Sequence, residues 1–297
     1  METCQVAILE PVPRVGRYLF FSLTSVLAPD ICASLIRLAG CADGVRALVG
    51  IGPELVSLLG AQVPGLHPFK TLSGAGVRVP VPGTPVALCC WLRGDDQGDL
   101  LHLTRQLQAV LAPVLCLAKV VDAFRYGSGR DLTGYEDGTE NPEGDAAIAA
   151  ALLHGAGAGL DGSSFMVVQQ WQHDLDAFDA MSPLAQDHMI GRRRTDNSEL
   201  ADAPTSAHVK RTAQESFTPE AFVLRRSMPW AVDAQAGLMF VAFGKSFDAF
   251  EAQMSRMAGL EDGVVDALFG LSTPLNGAHF WCPPLRAGRL DWRQLGL

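Results

Sequence analysis

RYLFFSLT at residues 17–24, followed by APDICASLIRLAG at residues 28–40, sets the plan of this chain. The first stretch is dense in aromatic and apolar side chains and reads as a strand. The second has helical spacing, with Asp30 placed to start its first turn. The unit recurs further on. VALCCWLRG (86–94) reads as a strand and GDLLHLTRQLQAVLA (98–112) as a helix whose Leu100, Leu101, Leu103, Leu107 and Leu111 share one face, and CLAKVVDAFRYG (116–127) returns as a strand. The second half repeats the plan. SSFMVVQQW (163–171) is a strand, and residues 173–190 are helical apart from a break at Pro183. AFVLRRSMP (221–229) and GLMFVAFGKS (237–246) are two more strands, and SFDAFEAQMSRMAG (246–259) closes as an amphipathic helix bearing Phe247, Phe250, Met254 and Met257. Strand-helix-strand units occurring twice predict an α+β, duplicated ferredoxin-like fold of the dimeric α+β barrel type, with antiparallel sheets and flanking helices. The boundary is placed in the Gly-rich, acidic connector at residues 127–144, dividing the chain into an N-terminal domain at 1–130 and a C-terminal domain at 131–297.

Bulk properties exclude several function classes. The 297 residues are 48% hydrophobic and 19% charged, a globular rather than a disordered composition. A formal charge of -9, from 23 basic against 32 acidic residues, offers no general attraction to nucleic acid or anionic lipid. The one basic cluster, Arg192–Arg194 with Lys210 and Arg211, is too short to reverse this but could hold carboxylates. No signal peptide is read at the N-terminus, and no window reaches the roughly 18–20 apolar residues of a membrane span. The seven cysteines show no paired CxxC spacing, so neither a zinc site built on them nor a disulfide framework is expected. They read as buried thiols of a reducing cytoplasm.

The most informative segment is GRDLTGYEDGTENPEGD, residues 129–145, in which Gly134, Gly138 and Gly144 permit tight turns around Asp137. By composition alone it could be a solvated acidic loop or a calcium-binding turn, although an EF-hand would need alternate ligands and a final Glu that this spacing lacks.

Gly134-Tyr135-Glu136-Asp137-Gly138 also matches the GxxDG motif of dye-decolourising peroxidases, and Thr139-Glu140-Asn141-Pro142 matches its flank. SAHVKR around His208, LRRSMPW around Arg225 and the stretch 237–257 follow in the family's order, so motifs cover roughly the C-terminal half. The chain resembles that family, and within it the B class.

The resemblance implies a non-covalent haem b (iron protoporphyrin IX), and the absence of CxxCH agrees by excluding covalent c-type attachment. It implies that His208 is the iron ligand. Asp137 would be the distal acid that moves the peroxide proton, and Arg225 the guanidinium beside bound hydroperoxide. A carboxylate on the second ring nitrogen would strengthen His208 as a donor, and Glu220 is expected there with Glu215 as its rival. Strand alternation puts Arg225 and Ser227 on one face, Arg226 and Leu224 on the other, so Ser227 is expected near distal water. Arg192, together with Gly138 and Thr139 of the loop, is expected around the cofactor, Arg192 at a propionate. Leu238 and Phe240 are expected to form an apolar wall, although core packing would explain them equally well.

The activity so implied is oxidation of dyes, phenolics or similar small aromatic donors by hydrogen peroxide through a ferryl intermediate. Trp171, Trp230 and Tyr135 are candidate electron relays. A haem-handling protein without peroxide turnover, similar to a deferrochelatase, is the second reading. The B class further implies a cytoplasmic homo-oligomer, sometimes packaged as encapsulin cargo, although LDWRQLGL (290–297) contains no clear cargo tail.

Overall fold

The computed structural model describes residues 3–24, 28–73, 79–112 and 114–297. Its N-terminal half runs β1 (Val15–Leu23), α1 (Ala28–Leu38), β2 (Ala47–Ile51), α2 (Pro53–Leu58), β3 (Leu88–Gly94), α3 (Gln97–Leu111) and β4 (Leu115–Phe124). The C-terminal half runs α4 (Gly144–Ala151), β5 (Ser164–His173), α5 (Leu175–Asp179), α6 (Pro183–Ile190), α7 (His208–Thr212), β6 (Leu224–Arg225), β7 (Met228–Val232), β8 (Gln235–Gly244), α8 (Asp248–Met257), β9 (Ser272–Pro274) and β10 (Ala278–Cys282). A small hairpin of β11 (Leu285–Arg286) and β12 (Arg289–Leu290) follows.

The strand path is β4-β1-β3-β2-β10-β5-β8-β6, with β7 paired to β8 and β9 to β5. Each half therefore has the ferredoxin-like order, its fourth strand beside its first and its second at the far edge. The halves join where Trp281 of β10 pairs with Ile51 of β2, and every pairing is antiparallel. The expected α+β architecture is present.

The central strands are apolar runs because both faces of the sheet are covered. Leu19 and Phe21 of β1 enter one core while Tyr18 and Phe20 enter another. Likewise Phe165 and Val167 of β5 separate from Met166 and Val168. The first core lies under α1, α3 and α8. The second is enclosed by the curl of the sheet, which brings β1 against β7: a Cβ on Gly16 would lie 2.8 Å from Met228 Sδ.

Several expected elements differ in detail. The expected break at Pro183 is present between α5 and α6, and Pro183 itself opens α6 behind the Ser182 cap, where a missing N–H costs nothing. His173 ends β5 rather than opening a helix. The 221–229 strand is split into β6 and β7, with Arg226 and Ser227 between them. Leu101 points to solvent at 45% exposure, because the buried face of α3 is completed by Thr104. Cys116 is exposed and Cys32 and Cys41 are partly so, which limits the buried-thiol expectation to Cys4, Cys89, Cys90 and Cys282. Among the described residues no helix is long and apolar enough to cross a membrane.

Candidate active site

A cavity of about 860 Å³ lies on the helical face of the C-terminal half. Its sheet wall is made by β5 and β8, where Gln169 pairs with Phe240 and Trp171 with Leu238. Phe250, Met254 and Met257 of α8 close the opposite side, and the 125–143 loop and α7 close the ends. A more polar cavity adjoins it and shares Glu136, Asp137, His208 and Arg225 with it.

His208 opens α7. Its Nδ1 lies 2.8 Å from Asp266 Oδ2, and its imidazole lines both cavities. A carboxylate can only accept from an imidazole unless it is itself protonated, so Nδ1 carries the proton and Nε2 keeps a lone pair for a ligand. The Asp266 side chain is fully buried, and its Oδ1 accepts the Leu268 N–H at 2.8 Å. The expected carboxylate partners are therefore corrected. Glu220 is exposed and lines neither cavity, while Glu215 is exposed at the rim of the polar one. Nothing local marks Asp266, which lies 58 residues from His208 and reaches it only because the turn after α8 folds against α7.

The 125–143 loop is built to present Asp137. Gly138 has φ +79°, and a Cβ there would lie 2.6 Å from Asn141 Nδ2, so only glycine lets the chain turn this closely. Asn141 uses that proximity. Its Oδ1 accepts the Arg225 N–H at 2.8 Å and its Nδ2 donates to the Arg225 carbonyl at 3.0 Å, as a neighbouring strand would. One side chain thus ties the Asp137 loop to the Arg225 backbone across 84 residues. Replacing Asn141 by alanine is expected to cost about 1–3 kcal/mol in a urea melt, because two main-chain groups lose their partners and Arg225 loosens.

Asp137 and Arg225 make no ion pair with each other, and the Asp137 carboxylate has no hydrogen-bond partner among the described residues. Arg225 Nε is buried and equally without one. Arg226 turns away, donating to the Leu9 carbonyl at 2.6 Å, which matches the expected split between the two arginines. Ser227 does not follow Arg225. It is buried outside both cavities because the break between β6 and β7 interrupts strand alternation.

The other expected site residues divide between the two cavities. Leu238 and Phe240 line the apolar one, and Gly138, Thr139 and Arg192 the polar one. Arg192 is bonded to Glu140 and donates to the Asn197 carbonyl at 2.9 Å. Acids also neutralise the rest of the basic cluster that bonds here: Lys210 pairs with Glu199, and Arg211 makes two 2.8 Å bonds to Asp262. Among the relay candidates, Trp171 and Tyr135 line the apolar cavity, and Trp230 donates to the Trp171 carbonyl at 2.9 Å. All three are buried.

A polar chain unmarked by any motif forms part of the cavity wall. Asp131 Oδ2 lies 2.9 Å from His173 Nε2, and His173 Nδ1 lies 2.7 Å from Ser272 Oγ. Burial raises the Asp131 pKa, but the bonds from His173 and Thr133 outweigh it and hold the carboxyl below its ordinary value. Burial and the neighbouring Asp187 carboxylate push the Tyr135 phenol well up, so it stays a donor, 2.5 Å from Asp187 Oδ1.

A family model for the C-terminal part of Dyp-type peroxidases matches residues 128–287. The dye-decolorizing peroxidase of Rhodococcus erythropolis is 30% identical over 250 residues, 82% of this chain and 73% of the relative. That of Mycobacterium tuberculosis is 28% identical over 264 residues, 85% of this chain and 78% of the relative. Among solved structures, an arginine-to-leucine variant of Rhodococcus jostii RHA1 DypB in complex with heme superposes with a TM-score of 0.85 at 26% identity, covering 93% of this chain and 95% of that one. A dye-decolorizing protein from V. cholerae gives 0.82 at 26% identity, covering 93% and 96%. With the family model spanning more than half of its length and the same fold recurring in these structures, this chain belongs to the dye-decolourising peroxidase family.

Proposed function

We propose that this chain is a haem peroxidase that reduces hydrogen peroxide at the expense of small aromatic donors such as dyes and phenolics. The observation that carries the reading is His208, with Nδ1 held by buried Asp266 and its ring on a cavity where Asp137 and Arg225 stand without protein partners. The cavity residues fit a large planar apolar cofactor with an anionic edge. Leu238, Phe240, Phe250 and Met254 supply apolar walls, Arg192 and the Gly138–Thr139 turn line the polar side, and His208 Nε2 remains for iron.

Haem, when bound, supplies the iron that takes two oxidising equivalents from peroxide and passes them singly to donors. Asp137 accepts a proton from the incoming peroxide and returns one to the departing oxygen. Arg225 holds its positive charge where negative charge grows, and the Asn141 clamp keeps it there. Asp266 fixes the His208 tautomer and raises its basicity.

The deciding experiment is the visible spectrum of haem-supplied protein before and after one equivalent of hydrogen peroxide. A sharp Soret band is expected, shifting on peroxide addition and restored by a reducing dye. Bleaching without a restorable shift would remove the peroxidase reading and leave haem handling. Absence of a Soret band would remove both.

A further inference from the structure

Three side chains that the peroxide chemistry does not use meet behind α8, where Phe250 and Met254 separate them from the apolar cavity. They are His67, in the segment between α2 and β3, Glu251 of α8, and His279 of β10, with ligand atoms all within 4.8 Å of one another. Both imidazoles are set in the same tautomer by main-chain carbonyls. His279 Nδ1 lies 3.2 Å from the His67 carbonyl oxygen, and His67 Nδ1 lies 3.0 Å from that of Pro68. A carbonyl can only accept, so both protons sit on Nδ1 and both Nε2 atoms carry lone pairs.

Two of these acceptor atoms have no hydrogen-bond partner among the described residues, and the third, His67 Nε2, stands at ion-pair distance from the carboxylate. His279 is 2% exposed and its Nε2 has no hydrogen-bond partner among the described residues. Glu251 Oε1 is likewise buried and without one, and His67 Nε2 stands 3.8 Å from it, beyond hydrogen-bond reach. Buried acceptors without donors are costly, and a cation is the partner that two imidazole lone pairs and a carboxylate can share.

We propose that His67 Nε2, His279 Nε2 and a Glu251 carboxylate oxygen form a binding site for one zinc-class divalent cation, pinning the segment between α2 and β3 to α8 and the seam strand β10. Two nitrogens and one oxygen suit zinc, with water completing the shell. Zinc-ligand bonds of about 2.0–2.2 Å require neighbouring ligand atoms roughly 3.2–3.6 Å apart. The three ligand atoms, 3.8 Å apart for His67 and Glu251 and within 4.8 Å throughout, must draw together by up to about 1–1.5 Å, which His67 and Glu251 can do because their side chains are 44% and 34% exposed. An adjoining pocket of about 440 Å³, lined by Lys70, Glu251 and His279, connects the site to solvent. The site stands independently of the haem assignment.

The test is calorimetric titration of the EDTA-treated, haem-loaded protein with zinc chloride, followed by elemental analysis after gel filtration, with iron counted separately. One zinc per chain is expected. His67→Ala and Glu251→Gln should each weaken binding about ten-fold or more while leaving the Soret band unchanged, and zinc should raise the Tm of the wild type alone. Zinc-edge X-ray absorption of the wild type reads the site without any variant, and should show two imidazoles and no sulfur. Failure to retain zinc, unchanged binding in both variants, or a sulfur shell pointing to exposed Cys116 would each overturn the proposal.

Discussion

Arg225→Ala is expected to slow the reaction of the haem-loaded protein with hydrogen peroxide by about 10²–10³-fold, the usual loss when one fixed charge-stabilising donor is removed. Asp137→Asn is expected to slow it by roughly 10²–10⁴-fold, the range of a positioned proton carrier. Both expectations rest on the same feature. Each group faces the cavity with no protein partner, so its charge is available to the reacting oxygens. The Asn141 clamp supplies the rigidity that makes Arg225 effective, because its backbone cannot drift from the Asp137 loop. The double variant should be much less than additive, since both groups act on one oxygen-oxygen bond. Stopped-flow rates of the Soret change measure this, with haem content checked for each variant. Rates within about three-fold of wild type in both single variants, with full haem content, would take both residues out of the peroxide step.

His208→Ala is expected to abolish the Soret band of the purified protein, since no other imidazole lining the apolar cavity has a free ring nitrogen. The other, His173, has both nitrogens engaged, by Asp131 and Ser272. Asp266→Ala should be milder, weakening haem retention by about 10–100-fold, because it releases the ring without removing the ligand. Asp266→Asn keeps an oxygen for the Leu268 N–H but no longer offers a charged acceptor to His208. It should therefore retain haem while its ferric-ferrous midpoint potential moves positive. An unchanged potential in Asp266→Asn would mean that the carboxylate only positions the ring. Full haem binding by His208→Ala would mean that another residue holds the iron.

Most of the scaffold was legible because it rests on local regularities. The run at residues 17–24 and the leucine spacing of α3 identify their elements without tertiary information. What escaped was short or bent. β2 and β10 have five residues each, too few for a period to emerge, yet they complete the two halves and join them, and the 221–229 strand hid the bend that splits it into β6 and β7. Leu101 was misread because a regular leucine pattern does not say where the buried arc of a helix ends.

The site divides in the same way. The turn at Gly134–Gly138 and the placement of Asp137, His208 and Arg225 were readable, because turn chemistry and motif order are properties of the chain itself. The partner of His208 was not. Asp266, Glu220 and Glu215 are equivalent acids on paper, and only the packing of the turn after α8 against α7 selects Asp266. The Asn141 clamp, the Asp131–His173–Ser272 chain and the His67–Glu251–His279 cluster likewise join residues between 28 and 212 positions apart. The sequence by itself determined where most of the long strands and helices lie and which loop carries the acid, since hydrophobic runs and glycine turns act over a few residues. Only the tertiary structure decided which carboxylate faces which imidazole, because a hydrogen bond depends on ångström distances that contacts remote in the chain must set.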